Sequence, residues 1–145
     1  MIALIQRVTE CNVTVGAELI DSIRGGMLVL LGVKDGDTET DAAYLAAKTV
    51  NLRIFQDENE KMNLSLLDTG QDMMIVSQFT LHADTRHGNR PSFTEAAEPK
   101  IAEELYEYFT QEVKNLIGHD KVHNGVFGAM MKVKLVNDGP VTITL

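Results

Sequence analysis

The run Met27-Leu-Val-Leu-Leu-Gly32 is apolar without interruption over the length of a strand. Successive side chains of a strand point to opposite faces, so a run with no polar alternation must be covered on both sides. The run Met73-Met74-Ile75-Val76 carries the same demand. Helices are the natural cover, and the sequence supplies two. Ala43, Leu45, Ala46, Ala47 and Val50 fill one, with Thr38 and Thr40 as candidate N-caps and acidic residues in its first turn. Pro99 suits the first position of the other, where Ile101, Leu105, Tyr108, Phe109, Val113, Leu116 and Ile117 follow at helical spacing until Gly118 stops it.

The remaining segments are β-like. Met1 to Val8 and Asn12 to Val15 are rich in β-branched residues and read as two strands separated by a polar break; Glu18 to Ile23 is a third, and Arg24-Gly25-Gly26 is a turn. Arg53-Ile-Phe55 is a short strand, Asp57 to Glu60 a charged turn, and Met62 to Leu67 fits either helix or strand. Asp84 to Phe93 is a polar loop without periodicity. Near the C-terminus, Met131, Val133 and Leu135 alternate with Lys132 and Lys134, and Val141, Ile143 and Leu145 alternate with Thr142 and Thr144, which gives two half-exposed strands. No repeat, low-complexity segment or linker divides the 145 residues. The pattern predicts one α/β domain over residues 1–145, with two main helices packed on one layer of a mostly β structure. Cys11 has no intramolecular partner, which points to a reducing compartment. The apolar opening Met1 to Ile5 ends at Gln6-Arg7, too short for a signal peptide or a membrane span. A cytoplasmic protein with no membrane partner is expected.

Two stretches have the residue types for chemistry. The first, Val76-Ser77-Gln78-Phe79-Thr80-Leu81-His82-Ala83-Asp84, presents hydroxyls and an amide where an apolar strand ends. His82 follows Thr80 closely enough to share a strand face with it, but no Gly-x-Ser-x-Gly elbow is present and nothing marks a group to orient the imidazole. A strand end whose polar groups satisfy backbone is the commoner outcome. His119 and His123 lack the His-Glu-x-x-His pattern, and His82, Asp84 and His87 lack ligand spacing, so no metal is expected. No phosphate-binding glycine loop occurs, and no cofactor is expected. The net charge of −8 argues against a nucleic-acid partner except at a local basic patch. Arg86, His87 and Arg90 form one such group and Lys132 and Lys134 another; a solvated loop and an exposed strand face are their ordinary readings. The second stretch is Asn137-Asp-Gly-Pro-Val-Thr142, where Pro140 cannot donate to a ladder and so requires a turn or an edge. A trans hairpin turn is the ordinary form; a cis bond would aim backbone carbonyls outward.

Ser77-Gln-Phe-Thr-Leu81 with Ala83, together with Asn137-Asp-Gly-Pro-Val-Thr142, resembles the two signature motifs of the D-aminoacyl-tRNA deacylase family. Met1 to Val8, Leu28 to Val33, Arg53-Ile-Phe55, Lys61-Met-Asn-Leu64 and Arg90-Pro-Ser-Phe93 also look like family segments in family order, so the resemblance covers essentially the whole chain. It implies a layered β-β-α sandwich and a homodimer that hydrolyses the ester joining a D-amino acid to the terminal adenosine of tRNA, with glycyl-tRNA as a second substrate. It implies a cis Gly139-Pro140 dipeptide reaching into the partner's pocket, where its carbonyls hold the α-amino group and exclude an L side chain. Chirality is then set by rejection. Backbone N–H groups around Phe79 and Thr80 would face the oxyanion, with Ser77 and Gln78 shaping the pocket. Activation belongs to the ribose 2′-hydroxyl, or in an older scheme to Thr80 as nucleophile; we rank Thr80 as a positioning group. His82 falls at the variable position of the motif and is not taken as a base. Phe127 and Met131 match positions that contact the terminal adenine, and Arg7 matches one that holds the Gly-Pro turn; core packing and a strand-end charge are their ordinary readings.

Two other readings keep the same fold: a non-catalytic dimer that binds an amino-acid-like ligand, and an esterase with a Thr80 or Ser77 nucleophile and small-molecule substrates. The first has no use for adenine-facing residues. The second requires a covalent acyl adduct.

Overall fold

A computed structural model describes residues 1–145. Its elements are β1 (Ile2–Val15), β2 (Glu18–Ile23), β3 (Gly26–Gly32), α1 (Glu39–Val50), β4 (Phe55–Gln56), β5 (Met62–Leu64), α2 (Leu66–Thr69), β6 (Asp72–Ser77), α3 (Pro99–Ile117), β7 (Val122–Asn124) and β8 (Met131–Thr144). The main sheet runs β2-β1-β3-β6-β7, with β8 on the other edge of β1, and β4 and β5 pair separately. The pairs β3/β6 and β6/β7 are parallel and the rest of the main sheet is antiparallel.

The uninterrupted apolar runs sit where their composition requires. On one face of β3 and β6, Met27, Val29, Leu31, Met73 and Ile75 pack under α1 and α3 against Leu45, Val50, Tyr106, Phe109 and Val113. On the other face, Leu28, Met74 and Val76 pack against Val8, Cys11 and Val13 of β1 and Ile23 of β2. The sheet therefore doubles over, and the layers are β, β and α. β1 makes the fold-over possible by irregularities in its pairing with β8 around Arg7 and Thr9. Its residues before that corner, Ala3 and Ile5, belong to the helical core; its residues beyond it belong to the inter-sheet core. β8 turns the same corner in reverse, with Met131, Val133 and Leu135 against the inter-sheet core and Val141 and Ile143, followed by Leu145 just past its end, against the helical one. Irregular pairing at such corners is the usual way for a strand to change sheets.

Most sequence-based elements are found. α1 starts at Thr38, whose side chain and backbone close a capping box with Asp41, and α3 starts at Pro99 and stops at Gly118 with φ of 100°. Three differences have physical reasons. The two opening strands are one, because the polar break Thr9-Glu10 is the corner and the strand continues through it. The Arg53-Ile-Phe55 strand shifts to Phe55–Gln56, since Ile54 is buried and its N–H and carbonyl are taken by the Leu52 carbonyl and the Arg7 guanidinium. Met62 to Leu67 divides between strand β5 and the start of α2, whose N-cap Ser65 accepts from the Asp68 N–H. No helix is long and apolar enough to cross a membrane.

Cys11 is fully buried between the β layers, and burial pushes its thiol up to about 11. A raised thiol pKa leaves almost no thiolate at pH 8. A chromogenic disulfide reagent will modify native protein at least about a hundredfold more slowly than protein unfolded in guanidinium, compared with a free thiol near 8.5.

Candidate functional site

Ligands of parallel sheets collect at the carboxyl ends of the strands. Here those ends are Gly32, Ser77 and Asn124, which finish β3, β6 and β7. The ladder extends one step past β6, with Gln78 N–H donating to the Leu31 carbonyl at 2.8 Å, and the chain then winds into a 3-10 turn over Phe79–His82. That turn lies against the end of β3 because residue 32 is glycine. A Cβ there would come within 3.0 Å of the Gln78 carbonyl oxygen and 3.1 Å of His82 Nε2.

The turn decides what the polar residues do. The Gln78 side-chain amide donates to the Thr80 hydroxyl, which fixes Thr80 and leaves its own O–H to donate outward. Phe79 and Thr80 open the turn, so their N–H groups have no acceptor within it. Phe79 is 56 % exposed and meets Phe93 edge to face at 5.0 Å between centroids. His82 is buried instead, its Nε2 packed toward Gly32 without a hydrogen-bond partner. His82 Nε2 therefore makes no hydrogen bond to Thr80 or Ser77. Downstream, Asp84 is bound by Arg86 through both carboxylate oxygens at 2.9 and 2.7 Å, and this hydrogen bonding holds its carboxyl down at about 2.

The loop from Asn124 to Met131 closes the same end of the sheet. Gly125 N–H donates to the Ile75 carbonyl at 2.9 Å, which is also the acceptor for the Tyr106 hydroxyl at 3.0 Å. Asn124 donates to the Tyr106 and Thr110 hydroxyls and so ties the loop to α3. Burial raises the pKa of Tyr106 above the usual phenol range. Phe127 leans on Tyr106 at 5.7 Å. Met131 Sδ accepts from Val126 N–H at 3.3 Å and fills the space a Cβ on Gly125 would take, only 2.6 Å away. Ser77, Gln78, Phe79, Thr80, Phe127 and Met131 thus lie at one end of the molecule.

Arg7, Gly139 and Pro140 lie at the other. Gln6 pairs with Thr142 and Val8 with Asn137, so Asp138, Gly139, Pro140 and Val141 stand opposite the single residue Arg7 and bulge from the strand. It is a protrusion within β8, not a hairpin, since both flanks pair with β1. The Gly139-Pro140 bond is cis. Asn137 closes the neck: its Oδ1 accepts from Val141 N–H at 2.7 Å and its Nδ2 donates to the Val141 carbonyl at 3.1 Å. Arg7, 6 % exposed, supports it from beneath, donating from Nε to the Asp138 carbonyl at 3.0 Å and from Nη1 to the Ile54 carbonyl at 2.6 Å. Gly139 has φ of 140°, and a Cβ there would lie 2.7 Å from Val141 Cγ2. Because Val8 pairs with both Asn137 and Gly26, and Gly26 with Asp72, the protrusion lies level with the start of β6. Ser77 is at its end, roughly 17 Å away along a strand of this length.

Asn137, Asn124, Tyr106 and Gly32 shape these regions without belonging to the sequence-based set. Only Asn137 has a local signal, as the first residue of the Asn-Asp-Gly-Pro stretch. The others act through contacts that only the fold creates. The histidines gather no metal-ligand cluster. His123 is on β7, where its Nδ1 meets Asp21 at 2.8 Å.

The comparisons agree in kind. A family model described as D-Tyr-tRNA(Tyr) deacylase matches residues 4–145. A D-aminoacyl-tRNA deacylase of Thermosipho melanesiensis is 54% identical over 145 residues, covering 100% of this chain and 96% of the relative. One of Roseiflexus castenholzii is 56% identical over 145 residues, covering 100% and 91%. Among solved structures, a c-Myc DNA unwinding element binding protein superposes with a TM-score of 0.96 at 40% identity, covering 100% of this chain and 97% of that one. A probable eukaryotic D-amino acid tRNA deacylase shares the fold at a TM-score of 0.84 and 16% identity, covering 99% and 97%. With a match over nearly every residue and relatives more than half identical along its full length, the chain belongs to the D-Tyr-tRNA(Tyr) deacylase family.

Proposed function

We propose that this chain is a hydrolase of the aminoacyl-tRNA ester, specific for D-aminoacyl-tRNA and tolerant of glycyl-tRNA, that works as a homodimer in the cytoplasm. The observation that carries the reading is the separation of the two motif regions. The Asn137–Thr142 protrusion is exposed and built to be rigid, yet it stands a strand's length from Ser77 of its own chain. Two copies related by a two-fold axis allow the protrusion of one to reach the Ser77–Thr80 turn of the other, which makes two equivalent sites.

In that assembly the Gly139 and Pro140 carbonyls accept from the substrate's α-amino group, and the backbone leaves no room for a side chain of L configuration. A D side chain points to solvent, so amino-acid identity matters little. Glycine has nothing to exclude. The N–H groups of Phe79 and Thr80 face the developing oxyanion, and Ser77 and Gln78 hold the pocket in shape. An aminoacyl ester is already activated, so orientation beside the ribose 2′-hydroxyl and a placed water suffices. Thr80 fits a positioning role: its hydroxyl is held by Gln78, and the imidazole of His82 is not hydrogen-bonded to it. Phe127 and Met131 hold the terminal adenine.

Hydrolysis of one tRNA charged with D-tyrosine or L-tyrosine tests this. Only the D ester will be cleaved, and Thr80→Ala will retain substantial turnover without an acyl-enzyme adduct. Cleavage of neither ester would favour a ligand-binding dimer, and an adduct trapped on Thr80 would establish a nucleophile. Arg7→Met tests the support of the protrusion. It leaves the buried Ile54 carbonyl without its donor, which costs about 1–3 kcal/mol in chemical denaturation. D-ester turnover will fall more than tenfold at temperatures where the variant is fully folded, while its circular dichroism matches wild type.

A further inference from the structure

A chain with a net charge of −8 repels a polyanion unless it offers a local path of free cations. Several cations are engaged elsewhere. Arg86 is forked onto Asp84, Lys34 meets Glu95 at 3.2 Å, Lys121 meets Asp72 at 3.5 Å, and Arg7 is buried beneath the protrusion. Lys132 and Lys134 are exposed, and no carboxylate comes within ion-pair distance of either.

Their surroundings are specific. They occupy the solvent face of β8 immediately after the loop that carries Phe127 and Met131. Residues directly opposite one another across antiparallel strands share a face. Lys132 is paired with Thr14 and Lys134 with Asn12, and Asn12 is paired onward with Ser22. The residues directly across from the two ammonium groups are thus a neutral hydroxyl and a neutral amide, the mixture that contacts phosphate oxygens. Glu10 shares this face one pair further on, opposite Val136, so the carboxylate lies beyond Lys134 at the end of the face away from the Phe127 loop. Same-face residues on a strand are roughly 7 Å apart, a step similar to that between successive phosphates of an extended strand. The other flank of the Phe127 loop is the reverse in sign. There a groove of about 370 Å³ is lined by Glu103, Glu107 and Lys114 of α3, and Glu104 and Glu112 add to the same helix.

We infer that the RNA backbone leading to the terminal adenosine runs over the β8/β1 face, its phosphates held by Lys132 and Lys134 with Thr14 and Asn12 beside them, and not over α3. The inference rests on the aminoacyl-tRNA reading above and assigns that substrate's path.

The test compares two substrates, D-tyrosyl-tRNA and the D-tyrosyl ester of adenosine, which lacks the upstream backbone. The double variant Lys132→Gln/Lys134→Gln will lose about tenfold in kcat/KM on the tRNA at moderate salt, through KM, and the slope of log kcat/KM against log salt will flatten by about 1.4, or 0.7 per single-strand phosphate. Its rate on the adenosine ester will equal wild type. Arg86→Gln/Arg90→Gln will leave the tRNA kinetics unchanged. An unchanged salt slope in the lysine variant, an equal loss on both substrates, or an effect confined to the arginine variant overturns the assignment while the deacylase reading stands. A wild-type protein inert toward both substrates overturns that reading and this one together.

Discussion

A strand that is apolar on both faces can meet a ligand only at its ends. β3 and β6 are such strands, with Leu28 and Met74 turned to one core and Val29 and Ile75 to the other. Everything else in the chain follows from covering them. The helices cover one side, and the folded-over halves of β1, β2 and β8 cover the other. What remains open is the carboxyl end of the parallel strands, where the chain has placed its 3-10 turn and the Phe127 loop. The position of the candidate pocket is thus a consequence of hydrophobic burial before any question of chemistry arises.

The protrusion of β8 depends on a different balance. A guanidinium removed from water is costly unless its donors are used, and Arg7 uses them on backbone carbonyls, with Asp138 Oδ2 also at 3.2 Å. Carbonyl acceptors at Ile54 and Asp138 link the protrusion to the α1–β4 connection, so its base is held by the core of the domain. Asn137 does at the neck what a ladder would do in a regular strand. A short exposed segment becomes as well determined as the sheet it leaves.

Much of this was legible in the sequence, because hydrophobic periodicity and cap residues are local signals. The unbroken apolar runs, the Thr38 cap, Pro99 and Gly118 each act within a few residues, and each marks a boundary that the fold respects. The continuity of β1 through Thr9-Glu10 was not legible: polar residues at a corner look the same as polar residues at a break, and only pairing with β8 distinguishes them. The same holds for the candidate site. Ser77, Gln78 and Thr80 stand out as polar residues ending an apolar strand, and the Gly-Pro step as a punctuation of alternation. That His82 faces the interior depends on Gly32, distant in sequence, and that Arg7 is buried depends on Ile54. Long-range contacts of this kind leave no periodic trace.

The corner at which β1 and β8 change layers has a consequence for how such a fold can vary. In most of a doubled sheet an inserted residue would reverse the facing of every side chain beyond it and empty a core. At the corner the strands are already handing over from one core to the other, and Asp138, Gly139 and Pro140 at the tip of the protrusion are exposed and fill neither. A change in the length of that tip therefore leaves the facing of both cores intact, while Gly139, Asn137 and Arg7 fix its conformation. The shape of the exposed tip and the packing of the two cores become separable properties of one strand.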